Sequence, residues 1–580
     1  MGIEKSQIPK SFFKISFSRL QHNSSTPIYS GSMGIVFGLF LIGPSTVWFT
    51  NIEWLTSKRI NEDSRTSQVI WNFFRETPLL QWPLTRVTNY ADGADTLFQS
   101  AVGLNLVGIP LKFIEFLLPT NFQYLGFWLI ICFFLQGYFG ARLIEIWSTD
   151  KIETILLSSV FLLSPIFLHR IGIMGHYDLG AHWILLAGLF LYFNNQFSMR
   201  RWTLIILVAL WVNVYITAMI ASIFFAAIAK ELLIGKLKVK KLIFGASTLI
   251  ALSTASFFML GYNEYGDSAA GTGFFRLNLG SFIYPKVFDG GTNYQSSSQI
   301  IENIDFVMSR PFVAFEGEGF NFLGISSLFL LIPASLFALR NFRSIRYKKH
   351  LPILSAAVLM LVVALSNQIV FIRREFTIPV PDRFLELRQI FRSATRFAWP
   401  LTYLLVLYGL IVLVKVKKKS FRIFAISLVV LLQFADSVHL VKDVNRHFHD
   451  KEQVVLLNSD YWKSIGERID AIRLVPTFDL ISDGKSSDAE KWLADGKWFS
   501  LTEFSGRTRN KINFGYVARP TTAYVDRTNE NVQSSIQSGN FERRAMYVFA
   551  TPELWRQAIK TMPSYGRSQI LDGFFLIITE

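Results

Sequence analysis

The chain has 580 residues, of which 51% are hydrophobic and only 17% charged, a balance too apolar for an average soluble domain. Its formal charge of +16 is carried by Lys and Arg gathered in short loops between apolar runs, so it reads as membrane topology and argues against a nucleic-acid partner. A single cysteine, Cys132, lies inside an apolar run, which excludes an internal disulfide.

Residues 1–30 carry Lys5, Lys10, Lys14 and Arg19 with no long apolar stretch and no small-residue cleavage site, and read as a basic cytoplasmic tail rather than a signal peptide. Phe12, Phe13 and Phe17 suit either a short segment on the membrane surface or a solvated tail. Apolar runs then begin, and those from Gly31 to Thr50, Tyr124 to Trp147 and Leu351 to Val370 each match the roughly 20 residues that cross a bilayer core. The Lys- and Arg-rich loops at 230–241, 340–349 and 415–422 belong with the tail on the cytoplasmic side. Between them, 51–121, 263–318, 372–397 and 441–580 are longer, mixed in charge and aromatic, and are expected outside.

Parity turns on Leu97 to Leu118. If it spans, His176 and Asp178 face the cytoplasm; if it is re-entrant or lies on the surface, they face outward. Asn105, Gly108, Pro110, Lys112 and Glu115 make it a poor lipid-facing span, and a non-spanning segment also keeps Arg200 and Arg201 in the cytoplasm. Trp202 to Leu233 is then two short helices turning near Tyr215. The expected fold is an α-helical polytopic bundle over 31–440 with about eleven transmembrane helices, at 31–50, 122–147, 152–170, 179–195, 202–214, 217–233, 243–262, 321–339, 352–371, 398–416 and 422–440. From Val441 the apolar runs shorten and charges become frequent, so 441–580 is expected to be a soluble extracytoplasmic α/β domain. Ala545 to Ala550 and Phe574 to Thr579 read as strands, with a helix from Pro552 to Lys560 between them.

Three clusters beside the spans are candidates to carry chemistry, the alternatives being an ordinary loop acid at Asp63 and a helix anchored at the headgroups by Arg392 and Arg396. The first loop holds Asp63, then Trp71-Asn72-Phe73-Phe74-Arg75, then Asp92 and Asp95; the second cluster is Arg170, His176, Asp178 and His182; the third is Arg388, Arg392 and Arg396 before Trp399-Pro400. A carboxylate can take a proton from an incoming hydroxyl, and arginine forks can hold a phosphate as it leaves. Asp63 with His176, Asp178 and His182 also offers ligand-type side chains for a divalent cation. Neither a phosphate-cradling GxxxxGK[ST] loop nor a GxSxG elbow is present.

In this order of features the chain resembles the GT-C superfamily of membrane glycosyltransferases, and more closely a bacterial multi-pass family of unknown function that looks GT-C-like. The residues that carry the closer resemblance are Asp63 with Trp71 to Arg75, His176 to Trp183, Phe275-Arg276-Leu277-Asn278-Leu279, Glu318-Gly319-Phe320-Asn321-Phe322-Leu323-Gly324 and Phe391-Arg392-Ser393-Ala394-Thr395-Arg396-Phe397. The resemblance implies a GT-C-like bundle with surface helices near 66–75 and 97–118, and catalytic acids at Asp63 and Asp178. Arg276, Arg392, Arg396, His176, His182, Glu318 and Asp95 are then expected to bind substrate, with the C-terminal domain helping to hold the acceptor. The expected activity is inverting transfer of a sugar from a polyprenyl-phosphate donor to a glycan or lipid-linked acceptor, such as a surface polysaccharide, on the outer face of a bacterial inner membrane. The rival expectations are a flippase for lipid-linked glycans and a non-catalytic scaffold with an outer binding domain.

Overall fold

A computed structural model of the chain describes residues 25–57, 59–60, 62–92, 96–235, 239–264, 275, 277–288, 294–301, 318–341, 347–372, 374–381, 391, 393–452, 457–477, 492, 495–517 and 522–580. The expected tail lies largely outside the described residues.

Helix α1 (Thr26–Ile42) starts ahead of the predicted span because Pro27 sits in its first turn, where a missing N–H costs nothing. A first-loop helix α2 (Glu62–Arg75) and a short helix α3 (Asn105–Lys112) follow. The bundle continues through α4 (Leu125–Ile144), α5 (Lys151–Leu162), α6 (Pro165–Gly172), α7 (Trp183–Phe193), α8 (Met199–Val212), α9 (Val214–Ile234) and α10 (Val239–Met259). A small hairpin, β1 (Lys286–Phe288) with β2 (Tyr294–Ser296), leads to α11 (Ile325–Arg340) and α12 (Tyr347–Leu365). A second hairpin, β3 (Gln368–Phe371) with β4 (Arg374–Thr377), precedes α13 (Trp399–Val414), α14 (Lys419–Asp436) and α15 (Val438–His449).

A helix stands at each of the eleven expected positions, but eleven full spans do not. Among the described residues five helices are long and apolar enough to cross a membrane, namely α4, α9, α10, α12 and α13, or up to seven if the bent pairs α5 with α6 (48°) and α14 with α15 (52°) each count as one span. The shortfall has local causes. Pro165 opens α6 after an extended Ser164, and extended Asn213 separates α8 from α9 while its side chain caps Tyr215 N–H at 2.8 Å. Helices α1, α7 and α11 are apolar but only 17, 11 and 16 residues long. Leu97 to Leu118 is a pair of 3-10 turns flanking the eight residues of α3, far short of a span. Within it Lys112 is buried, its ammonium on Thr77 Oγ1 (2.6 Å) and Pro78 O (3.0 Å).

Helices α1 and α4 meet backbone to backbone through small residues, as helices without a water-driven force between them must. A Cβ at Gly34 would fall 2.2 Å from the Phe133 carbonyl oxygen, and one at Gly137 2.3 Å from that of Ser30. Gly34→Val is therefore expected to destabilise the protein by about 2 kcal/mol or more through forced separation of the pair. Thermal unfolding in detergent measures it, and an unchanged midpoint would refute this account of the packing.

The C-terminal region adds α16 (Lys497–Thr508), α17 (Thr522–Gln537) and α18 (Pro552–Ile559) to five strands: β5 (Ala471–Val475), β6 (Lys511–Ile512), β7 (Ala545–Phe549), β8 (Gly566–Leu571) and β9 (Phe574–Thr579). The sheet order is β6-β5-β7-β9-β8, parallel across β6, β5 and β7 and antiparallel beyond. Side chains of β7 alternate strictly: Met546 and Val548 join the main core, while Ala545, Tyr547 and Phe549 pack in a second core with Val532 of α17 and Trp555 of α18. The region docks onto the first loop, where Asp92 N–H donates to Ile512 O (2.8 Å), Tyr516 N–H donates to Tyr90 Oη (2.6 Å) and Arg65 lies over the Phe499 ring (5.1 Å). Val438 to His449 is no part of that unit: α15 continues from α14 and crosses α6, where a Cβ on Gly172 would meet Val444 at 2.3 Å.

Candidate functional site

The site is built at one end of the bundle, opposite the end where Arg422 and Lys419 pair with Glu153 and Asp150. Helix α2 supplies the first group. Its Trp71 Nε1 and Gln68 Nε2 donate to Phe122 O (3.2 and 3.1 Å), and buried Arg75 donates to Pro119 O (2.8 Å) and Leu118 O (3.1 Å), which fixes α2 against the start of α4. Asp63 sits in the first turn of α2, where a carboxylate complements the helix dipole.

The second group comes from α6 and the loop after it. Arg170, in the last turn of α6, has a side chain only 1% exposed. Gly175 takes φ +59, a left-handed turn that suits glycine and brings His176 back beside Arg170. Trp128 Nε1 holds the next carbonyl, Tyr177 O, at 2.7 Å. The third group is Glu318 with Arg396, the latter in the 3-10 turn Ala394–Ala398 that runs into α13.

These groups form one chain of contacts across elements far apart in sequence. Arg396 grips Glu318 with a two-pronged fork, Nε and Nη2 each 3.0 Å from a carboxylate oxygen. Arg170 Nη1 lies 2.9 Å from Glu318 Oε2, and its Nη2 donates to the Glu318 carbonyl at 2.8 Å. The same Nη1 stands 3.1 Å from His176 Nδ1. A guanidinium only donates, so Nδ1 accepts and Nε2 carries the proton, which it donates to Asp63 Oδ2. Asp63 Oδ1 accepts no hydrogen bond from a described residue, and the side chain is 19% exposed. The rings of Tyr215 and Trp399 lie under the Arg396 and Arg170 guanidinium groups at 4.7 and 5.2 Å.

Burial alone pushes the Glu318 carboxyl up, but Arg170 and Arg396 outweigh it and hold the group well below the usual carboxylate range. Asp178 moves the other way, raised by burial. Its Oδ2 accepts from Asn213 Nδ2 at 2.6 Å, at the α8–α9 break, and its Oδ1 is buried with no hydrogen-bond partner among the described residues.

The structure thus brings Asp63, His176, Glu318 and Arg396 together, with Arg170 as the hub between them. Arg396 and Glu318, expected as separate substrate contacts, are first of all each other's partners. His182 does not join that chain of contacts: it is fully buried, its Nδ1 is 2.8 Å from Tyr403 Oη and its ring lies tilted against Trp399 at 4.3 Å, beside the cluster rather than in it. The expected cation-binding quartet therefore does not assemble, and among the described residues no three His, Cys, Asp or Glu side chains are placed to hold a metal ion. Arg276, Arg388, Arg392 and Asp95 lie outside the described residues. Sequence reasoning missed Asn213 and Gln136, the latter donating to Tyr403 Oη (3.1 Å) inside the bundle. Each is an amide interrupting an apolar run, which was the available signal.

The family model described as "Domain of unknown function (DUF6311)" matches residues 31–438, and "DUF6311 C-terminal domain" matches 461–579. The chain belongs to the DUF6311 family. No curated protein matches it. The two DUF6311 segments carry all the contacts just described, and 439–460 between them holds most of α15 and the link onward.

Proposed function

We propose that this DUF6311 protein is an inverting membrane glycosyltransferase of the GT-C kind. It would move a sugar from a polyprenyl-phosphate donor to a glycan acceptor on the outer face of a bacterial inner membrane. The observation that carries the reading is the Asp63 carboxylate, oriented through Oδ2 by His176 and engaged at Oδ1 by no described residue, beside a cluster of buried arginines. In the reaction the acceptor hydroxyl gives its proton to Asp63 Oδ1 while its oxygen bonds to the anomeric carbon. The bond from that carbon to the phosphate oxygen breaks, and polyprenyl phosphate leaves with the electron pair. Arg170 sets the His176 tautomer, and His176 in turn holds Asp63. Arg396 spends its fork on Glu318, so phosphate binding falls to its remaining Nη1 and to Arg276 and Arg392. The Lys- and Arg-rich loops favour the orientation with this end outside.

The deciding experiment compares the mass of the cell-surface polymer in wild-type and deletion cells, with radiolabel followed from a polyprenyl-phosphate hexose in purified protein. The wild-type polymer is expected to be heavier by one hexose-sized unit, and label should leave the lipid phase only when acceptor is present. Identical polymers and a donor that stays intact would refute the proposal.

A further inference from the structure

The α17 face of the C-terminal sheet is incompletely filled. A cavity of about 510 Å³ lies between β5, β7 and α17, within the size range of small-molecule sites. Strand alternation creates it. Ala471 and Val475 of β5, with Ala545 and Phe549 of β7, pack in the second core, but the register pairs Arg473 with Tyr547 midway along, and both side chains line the cavity.

Arg473 is fixed there by two carboxylates, Glu542 through Nε (2.9 Å) and Asp92 through Nη1 (3.2 Å). Each carboxylate is 46% exposed and Arg473 only 13%, so the acids are held by the guanidinium, Glu542 also through Nη2 at 3.3 Å, while staying accessible from the cavity. Asp92 comes from the first loop, so the cavity bridges that loop and the C-terminal sheet. Phe541 stands edge-to-face against Tyr547 at 4.9 Å, giving the floor an aromatic side. Arg527 and Asn531 of α17 form the opposite wall.

The charge balance decides the ligand class. Among the described residues two carboxylates and two guanidiniums line the cavity, with amide and hydroxyl groups making up most of the rest. An anion site would need a surplus of cation and a divalent-metal site a surplus of carboxylate. Acids held in place by Arg473, exposed amides on the wall and an aromatic edge suit an uncharged ligand dense in hydroxyls. We propose that this cavity binds a neutral saccharide. That the saccharide is an arm of the acceptor glycan rests on the transferase reading above, whereas the binding itself does not.

The test passes the full-length protein in nanodiscs over an array of neutral and anionic glycans. Wild type and Asp63→Asn are expected to retain the same neutral glycans, and Asn531→Trp, an exposed wall position, to lose them by about tenfold or more. Thr528→Trp, on the same wall, should act alike and guards against a folding defect in one variant. Absence of retained glycan, retention confined to anionic glycans, or full retention by both tryptophan variants would each overturn the proposal. Neutral-glycan retention by a protein that transfers nothing upholds the site and overturns only the function proposed above.

Discussion

Asp63→Asn is expected to slow sugar transfer by roughly 10²- to 10⁴-fold, the span typical of a general base, while donor binding and the thermal midpoint stay as in the wild type. The amide is isosteric with the carboxylate, and its carbonyl oxygen still accepts the Nε2–H of His176, so the contact that ties α2 to the 173–182 loop survives. What is lost is the basic lone pair on the atom that no described residue engages. Single-turnover transfer from a labelled donor, read beside donor binding, separates the base from a positional role. Transfer at the wild-type rate would remove Asp63 from the chemistry.

Glu318→Gln is expected to cost about 3–5 kcal/mol of stability, because it removes the one carboxylate among the described residues that both buried guanidinium groups contact directly. Arg170 is 1% exposed and Arg396 10%, and both contact the Glu318 carboxylate within 3.0 Å. A glutamine of the same shape turns an NH2 donor toward groups that only donate. Replacing Arg170, Glu318 and Arg396 together by methionine should cost less than the single change, since the two guanidinium groups then leave together with the carboxylate they contact. Denaturant unfolding of the three proteins checks the order; a Glu318→Gln protein as stable as wild type would contradict it. The pH dependence follows from the depressed Glu318 pKa. A group depressed on folding contributes fully above its unfolded pKa, about 4.3 for Glu, and loses the contribution only as pH falls toward the lower folded value. Lowering the pH from about 7 to about 5 should therefore leave this triad intact.

Much of the architecture is local and was legible. The Ala545 and Phe574 strands and the intervening helix appear within a residue of their expected ends, because Thr551 capping, Pro552 at the helix start and dense β-branched and aromatic runs act over a few residues. The α8–α9 break was expected near Tyr215 and falls two residues earlier, where Asn213 caps the next turn. The span count was less legible. Hydropathy reports that a run is apolar and is blind to a bend at Pro165 or to an end short of the bilayer, which backbone geometry and packing decide.

By itself, the sequence determined that the chain is a helical, membrane-type bundle followed by an α/β unit, and it singled out Asp63, His176 and Arg396 as chemically capable. Apolar length, charge placement and residue chemistry are properties a chain carries before it folds. Only the tertiary structure decided which of those groups meet. Asp63 reaches His176 across 113 residues, Arg170 reaches Glu318 across 148 and Glu318 reaches Arg396 across 78, whereas His182, six residues from His176, turns to Tyr403. Pairing across such distances depends on how helices cross and where loops return. Side chains that share a cluster in sequence are free to part when the backbone turns between them.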